Sequence, residues 1–162
     1  MMKVGVLAIA GVVLALGGCS LLQPQQPEYR YWEPAVSPDG SRVAYSSPVG
    51  EAFELFLMDL EGGEEVHLTR NGYINWGPSW SPDGTQIAFV SQRDDNIDIY
   101  VVDVVSGEEK RLTTHEKEDV NPGWGPDGRI LFNSSRSEAW ELYAVDPVST
   151  ELERLSPFST EP

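Results

Sequence analysis

Gly77-Pro78-Ser79-Trp80-Ser81-Pro82-Asp83-Gly84-Thr85-Gln86-Ile87-Ala88-Phe89 reads as a strand, a tight turn and a second strand within thirteen residues. Pro82 presets φ at the second position of the turn, and Gly84 takes the positive-φ position that follows. The turn recurs upstream as Ser37-Pro38-Asp39-Gly40 and downstream as Gly125-Pro126-Asp127-Gly128, so Asp39, Asp83 and Asp127 are spaced by 44 and 44. Pro34, Pro78 and Pro122 keep the same step, as do Val36, Trp80 and Trp124. Downstream, Phe56, Tyr100 and Tyr143 correspond, then Asp59, Asp103 and Asp146. Leu68-Thr69, Leu112-Thr113 and Leu155-Ser156 close the copies. The third copy is one residue short after Gly128, so its later spacings are 43.

Each copy reads as four short strands. The first ends at the Trp80 or Trp124 position. The second is rich in β-formers: Arg42-Val43-Ala44-Tyr45, Gln86-Ile87-Ala88-Phe89, Arg129-Ile130-Leu131-Phe132. The third, as in Ile97-Asp98-Ile99-Tyr100-Val101-Val102, is nearly continuous in apolar residues, which suits burial on both faces. The fourth, as in Lys110-Arg111-Leu112-Thr113, is charged, as an outer edge strand should be. Four strands per 40 to 45 residues is the period of a propeller blade. The expected fold is all-β and β-propeller-like: three four-stranded blades forming a partial propeller over residues 33–162, after an amino-terminal signal segment.

The pattern Pro-x-Trp-Ser-Pro-Asp-Gly-x-x-Ile-Ala-Phe-x-Ser, then Ile-Tyr-x-x-Asp, then Arg-Leu-Thr closely resembles the TolB-type propeller repeat, and residues 77–113 match it almost throughout. The resemblance implies blades. TolB itself resembles a soluble periplasmic protein with an amino-terminal α/β domain and six blades that works with a peptidoglycan-associated lipoprotein; residues 33–162 read as three blades, and no such domain is expected within residues 1–32. Similar repeats gate prolyl-oligopeptidase-like enzymes.

The amino terminus reads as an address. Met1-Met2-Lys3 is short and positive, and Val4 to Leu16 is an unbroken run of thirteen apolar residues and glycines. A bilayer span takes about 20 residues, so this run fits the apolar core of a signal peptide. Leu16-Gly17-Gly18-Cys19 resembles the lipobox of bacterial lipoproteins, which implies cleavage after Gly18 and lipidation of Cys19, the one cysteine of the chain. Residues 1–18 are then the signal peptide, and 19–32 a lipid anchor and a Pro/Gln-rich tether. The eight residues Ser20 to Pro27 reach about 25 Å if extended as polyproline II. Ser20 resembles the enterobacterial outer-membrane sorting choice, although the leaflet stays open.

Acidic residues outnumber basic ones 26 to 11, for a formal net charge of −15, which disfavours nucleic acid as a partner. Asp94-Asp95-Asn96-Ile97-Asp98 begins like a calcium loop, but Ile99 and Val105 stand where an EF-hand needs Gly and Glu. His115-Glu116-Lys117-Glu118-Asp119 combines a histidine with acids, yet His67, the other histidine, lies a whole blade earlier. Both read as polar loops, so no metal site and no cofactor is expected. The Trp and aromatic positions recur in every copy, which assigns them to packing between blades. Gly77-Pro78-Ser79-Trp80-Ser81 lacks the second glycine of a nucleophile elbow, and no catalytic residue is identified.

The function expected is a lipid-anchored binding or scaffolding module of the cell envelope, facing the periplasm or the exterior, and not an enzyme. Its partners are the membrane, through lipid at Cys19, and proteins, including further copies of itself. Closed propellers hold 4–8 blades, so three blades are expected to pair as three plus three. The alternatives are the non-catalytic propeller portion of a prolyl-oligopeptidase-like peptidase system, or a truncated remnant.

Overall fold

A computed structural model describes residues 32–137 and 139–155. The signal segment, Cys19 and the tether lie outside the described residues.

Twelve strands and no helix are present among the described residues. The first blade is β1 (Trp32–Val36), β2 (Arg42–Val49), β3 (Ala52–Asp59) and β4 (Glu65–His67). The second is β5 (Ile74–Trp80), β6 (Gln86–Arg93), β7 (Asn96–Asp103) and β8 (Glu109–Arg111). The third is β9 (Asp119–Trp124), β10 (Ile130–Ser134), β11 (Glu141–Val145) and β12 (Leu152–Arg154). Within each blade, consecutive strands pair antiparallel. One parallel pairing, Phe53 with Ile74, links the first two blades into a single hydrogen-bonded path.

The repeated turn forms as its chemistry dictates. Gly40, Gly84 and Gly128 have φ of 74°, 70° and 83°. Their amides donate to the carbonyls of Ser37, Ser81 and Gly125 at 2.9, 2.9 and 3.1 Å. The Asp39 carboxylate accepts the Ser41 amide and the hydroxyls of Ser37 and Ser41, and Asp83 does the same with Thr85 and Ser81.

The first strand of every blade carries a bulge. Pairing shifts register between Trp32 and Ala35, between Trp76 and Ser79, and again in β9 between Val120 and Gly123. Glu33, Gly77 and Asn121, one blade apart in turn, take positive φ of 51°, 62° and 56° there. A bulge bends the strand and raises its twist.

Side chains on β6 and β7 alternate between two neighbours, as the two-residue period of a strand requires. Ile87, Phe89, Tyr100 and Val102 join Ala44, Leu55, Leu57 and Leu68 of the first blade. Ala88, Val90, Ile99 and Val101 join Ile130, Phe132, Tyr143 and Val145 of the third. The middle blade is therefore buried on both faces. The two outer blades each have one face packed on it, so the expectation of burial on both sides holds for β7 more fully than for β3 and β11.

The second strands run further than expected, to Val49, Arg93 and Ser134, because polar residues such as Ser46 and Ser91 continue the ladder while buried. The fourth strands end sooner. Leu112 and Thr113 leave β8, and Thr113 turns its hydroxyl oxygen to accept the Ile99 amide at 3.0 Å.

Candidate docking faces

Each blade has a leading face, towards the blade before it, and a trailing face, towards the blade after it. Leading positions on the second strand are Val43 and Tyr45, then Ile87 and Phe89, then Ile130 and Phe132; on the third they are Phe56 and Met58, Tyr100 and Val102, Tyr143 and Val145. The ring pair recurs: Tyr45–Phe56, Phe89–Tyr100 and Phe132–Tyr143 have centroids 5.8, 5.8 and 6.0 Å apart. In the second and third blades this face is buried under the preceding blade.

On the first blade the same face turns outwards. Tyr45 is buried, whereas Val43, Phe56 and Met58 are half-buried. Pro34, Val43, Tyr45, Met58 and Leu60 line a cavity of about 410 Å³ there. His67 stacks on Phe56 at 4.4 Å and extends the aromatic row.

The opposite end is the trailing face of the third blade. Leu131 pairs with Ala144 and Asn133 with Leu142, on the side away from Phe132 and Tyr143. Leu142 is 39% exposed. Trp140, 53% exposed, stands just before it, where Lys117, Ser135, Arg136, Ser137 and Ala139 share with it a cavity of about 560 Å³. Trp140 was invisible to the repeat reading because its counterparts are Phe53 and Ile97; only its size marks it.

Polar bonds reinforce the joints between blades. Between the first and second, Trp80 Nε1 donates to Ala35 O at 2.9 Å, and the Gly77 amide to Glu33 Oε2 at 2.7 Å. Glu54, 2% exposed, accepts from Thr69 Oγ1 at 2.6 Å, the Gly72 amide at 2.7 Å and Asn75 Nδ2 at 3.0 Å. Asn75 accepts Ser91 Oγ at 2.6 Å, and Arg93 donates to Ser91 Oγ and to Glu109.

Within the second and third blades, two buried carboxylates each hold an arginine. Arg136 donates to both oxygens of Asp119 at 3.0 Å, and lies 4.4 Å above the Tyr143 ring. Arg111 donates to Asp98 Oδ2 at 2.6 Å. Burial pushes the Asp98 carboxyl up, with Arg111 opposing it.

The acidic and histidine candidates of the sequence sit in local contacts. Asp94 and Asp95, at φ of 51° and 62°, are the two-residue hairpin turn between β6 and β7, the geometry of a type I′ turn. Asp98 points to Arg111 instead of joining them. His115 Nδ1 accepts the Lys117 amide at 3.1 Å, a turn contact, and Asp119 is turned to Arg136. No group of three metal-ligating side chains occurs among the described residues. Trp80 and Trp124 pack between blades, as their recurrence indicated.

The model of the TolB beta propeller domain matches residues 22–160. The chain belongs to the TolB β-propeller family. The putative TolB from Agrobacterium tumefaciens is 34% identical, with a TM-score of 0.72 over 77% of this chain and 46% of that one. TolB from Acinetobacter baumannii is 30% identical, with a TM-score of 0.70 over 78% of this chain and 32% of that one. The chain thus spans less than half the length of either TolB structure. A puromycin hydrolase, 20% identical with a TM-score of 0.64 over 79% of this chain and 23% of that one, shares the fold. No curated protein matches the chain.

Proposed function

We propose that this TolB-family chain is a non-catalytic protein-binding or scaffolding module of the cell envelope, anchored by lipid at Cys19 and facing the periplasm or the exterior. The observation that carries this reading is the pair of outward sheet faces. Val43, Phe56 and Met58 at one end, and Leu131 and Leu142 at the other, hold positions that are buried apolar contacts at both internal joints. Apolar surface of this kind marks interaction sites on soluble domains. The envelope location rests on the signal-like residues 1–18 and on membership of the TolB family.

Two measurements test the reading. Mass spectrometry of membrane-extracted protein should find an acylated cysteine at residue 19, and Cys19→Ala should release or mis-process the chain. A photo-reactive residue at position 56 or 140 should cross-link to protein in intact envelopes. An unmodified Cys19 thiol would remove the anchor, and absence of any protein cross-link from both positions would remove the binding role. Serine-reactive probes should leave the chain unlabelled.

A further inference from the structure

We propose that the cleft between the outer strands of the first and second blades binds a lysine side chain of a partner protein. This goes beyond the binding role of the outward faces and uses a different surface. The second joint shows what such a cleft holds. There Lys110, on β8, reaches across to the turn between β11 and β12, and its Nζ donates to Pro147 O at 2.6 Å and to Val148 O at 3.0 Å.

The first joint has the same acceptors and lacks the lysine. Val66 holds the place of Lys110 in the middle of the outer strand: it pairs with Leu57 as Lys110 pairs with Val101. Val104 and Val105 hold the places of Pro147 and Val148. The two turns share one conformation. Asp103 Oδ1 accepts the Val105 and Ser106 amides at 3.0 and 2.7 Å, and Asp146 Oδ1 accepts those of Val148 and Ser149 at 2.8 Å each. The Gly107 and Thr150 amides donate to the carbonyls of Asp103 and Asp146 at 2.9 Å, from φ of 71° and 61°. Val104 O and Val105 O are therefore presented as Pro147 O and Val148 O are, and neither has a donor among the described residues.

Where the lysine would lie, a cavity of about 440 Å³ opens, a size typical of ligand pockets. Val66, 50% exposed, Leu68 and Val104 give it apolar walls. Such walls suit the methylenes of a lysine, which lie along apolar surface while the ammonium finds acceptors. Glu109, on the same wall, is already held by Arg93 and Asn71. Arg70 also lines the cleft, exposed and without an ion pair among the described residues. Its charge disfavours a second cation beside it, so the partner segment is expected to carry a carboxylate next to its lysine.

The test is nuclear magnetic resonance of the isotope-labelled full chain in detergent, titrated with the blocked peptide acetyl-Glu-Lys-Glu-amide. The peptide is net negative, like the chain, so charge alone does not draw the two together. The amides of residues 104–107 are expected to shift and saturate. The same peptide with Nε-acetyllysine should bind at least about tenfold more weakly. Val66→Lys lays the chain's own lysine on the two carbonyls and should weaken binding at least about tenfold, although it adds a positive charge. Lys110→Val opens the second cleft, and the amides of residues 148–150 should then shift as well. Should Val66→Lys not fold, Lys110→Val reads the chemistry by itself. Unmoved resonances at residues 104–107 overturn the proposal, as do equal binding of the acetylated peptide, full binding by folded Val66→Lys, or unmoved resonances at residues 148–150 in folded Lys110→Val. Cross-linking at positions 56 and 140 reads the outward faces separately, so either result can fail without the other.

Discussion

Glu33 and Gly77 hold the same position in successive blades, and the carboxylate of the first accepts the amide of the second at 2.7 Å. Glu33 does so from a φ of 51°, which a side-chain-bearing residue adopts at a cost of about 1–2 kcal/mol. Two effects are thus opposed in one residue. Glu33→Ala removes the bond and keeps the strain, for an expected loss of about 1 kcal/mol. Glu33→Gly removes both and should lie closer to wild type. Denaturant titration of the two variants reads the order, and equal losses would show that the backbone strain contributes nothing.

The two repeated tryptophans should not be equivalent. Trp80 Nε1 donates to Ala35 O, whereas Trp124 Nε1 is buried without a hydrogen-bond partner among the described residues. Trp80→Phe loses a bond that Trp124→Phe never had, and should cost about 1 kcal/mol more. Thermal unfolding of both variants checks this, and a larger loss at Trp124 would contradict it.

Asp119 is fully buried, and Arg136 is its ion-pair partner among the described residues. Arg136→Ala strands that carboxylate, with an expected loss of about 3–5 kcal/mol. Adding Asp119→Asn removes the stranded charge and should restore part of the loss. A double-mutant cycle measures the recovery; strictly additive losses would deny the coupling.

Acid should loosen the turns. The hydroxyls of Ser37 and Ser41 and the Ser41 amide hold Asp39 down at about 2. Ser81 and Thr85 lower Asp83, and Arg129 lowers Asp127. The turn amides of Ser106 and Ser149 lower Asp103 and Asp146. A lowered carboxyl stabilises the fold above the ordinary carboxylate range, and that contribution is lost as pH falls through its folded value. Asp98, raised by burial, acts the other way, since its protonation favours the fold. Five groups oppose one, so the unfolding temperature should drop between about pH 4 and pH 2. The triple variant Asp39→Asn, Asp83→Asn, Asp127→Asn should flatten that drop. An unchanged slope would place the acid sensitivity elsewhere.

The blade order, the turns and the pairing of second with third strands were legible because each rests on local chemistry repeated three times. The bulge at Glu33, Gly77 and Asn121 was not, although a glycine before Pro78 was its trace: Glu33 and Asn121 reach the same φ without being glycine. The closing Leu-Thr pair was seen as a repeat, but not as a bond. Thr69 Oγ1 accepts the Leu55 amide at 2.9 Å, a contact fourteen residues back that no periodicity encodes. Asp98 read as part of a polar stretch because its alternation with Asp94 and Asn96 ignores the hairpin turn, which sends it inwards to Arg111. The outward faces looked like any other blade surface in sequence, since nothing in the repeat distinguishes a terminal position from an inner one.

The missing residue of the third copy falls where Ser41 and Thr85 stand in the others, immediately after the turn glycine. Arg129 takes over there, giving its own amide and guanidinium to Asp127. Ile130 and Phe132 still face the middle blade. The copy is one residue shorter, yet each β10 side chain keeps its face. Had the same residue been lost from within β10, every side chain beyond the gap would have swapped faces. Such blades can therefore lengthen or shorten by single residues only at their turns, while their strands admit uncompensated changes only in twos.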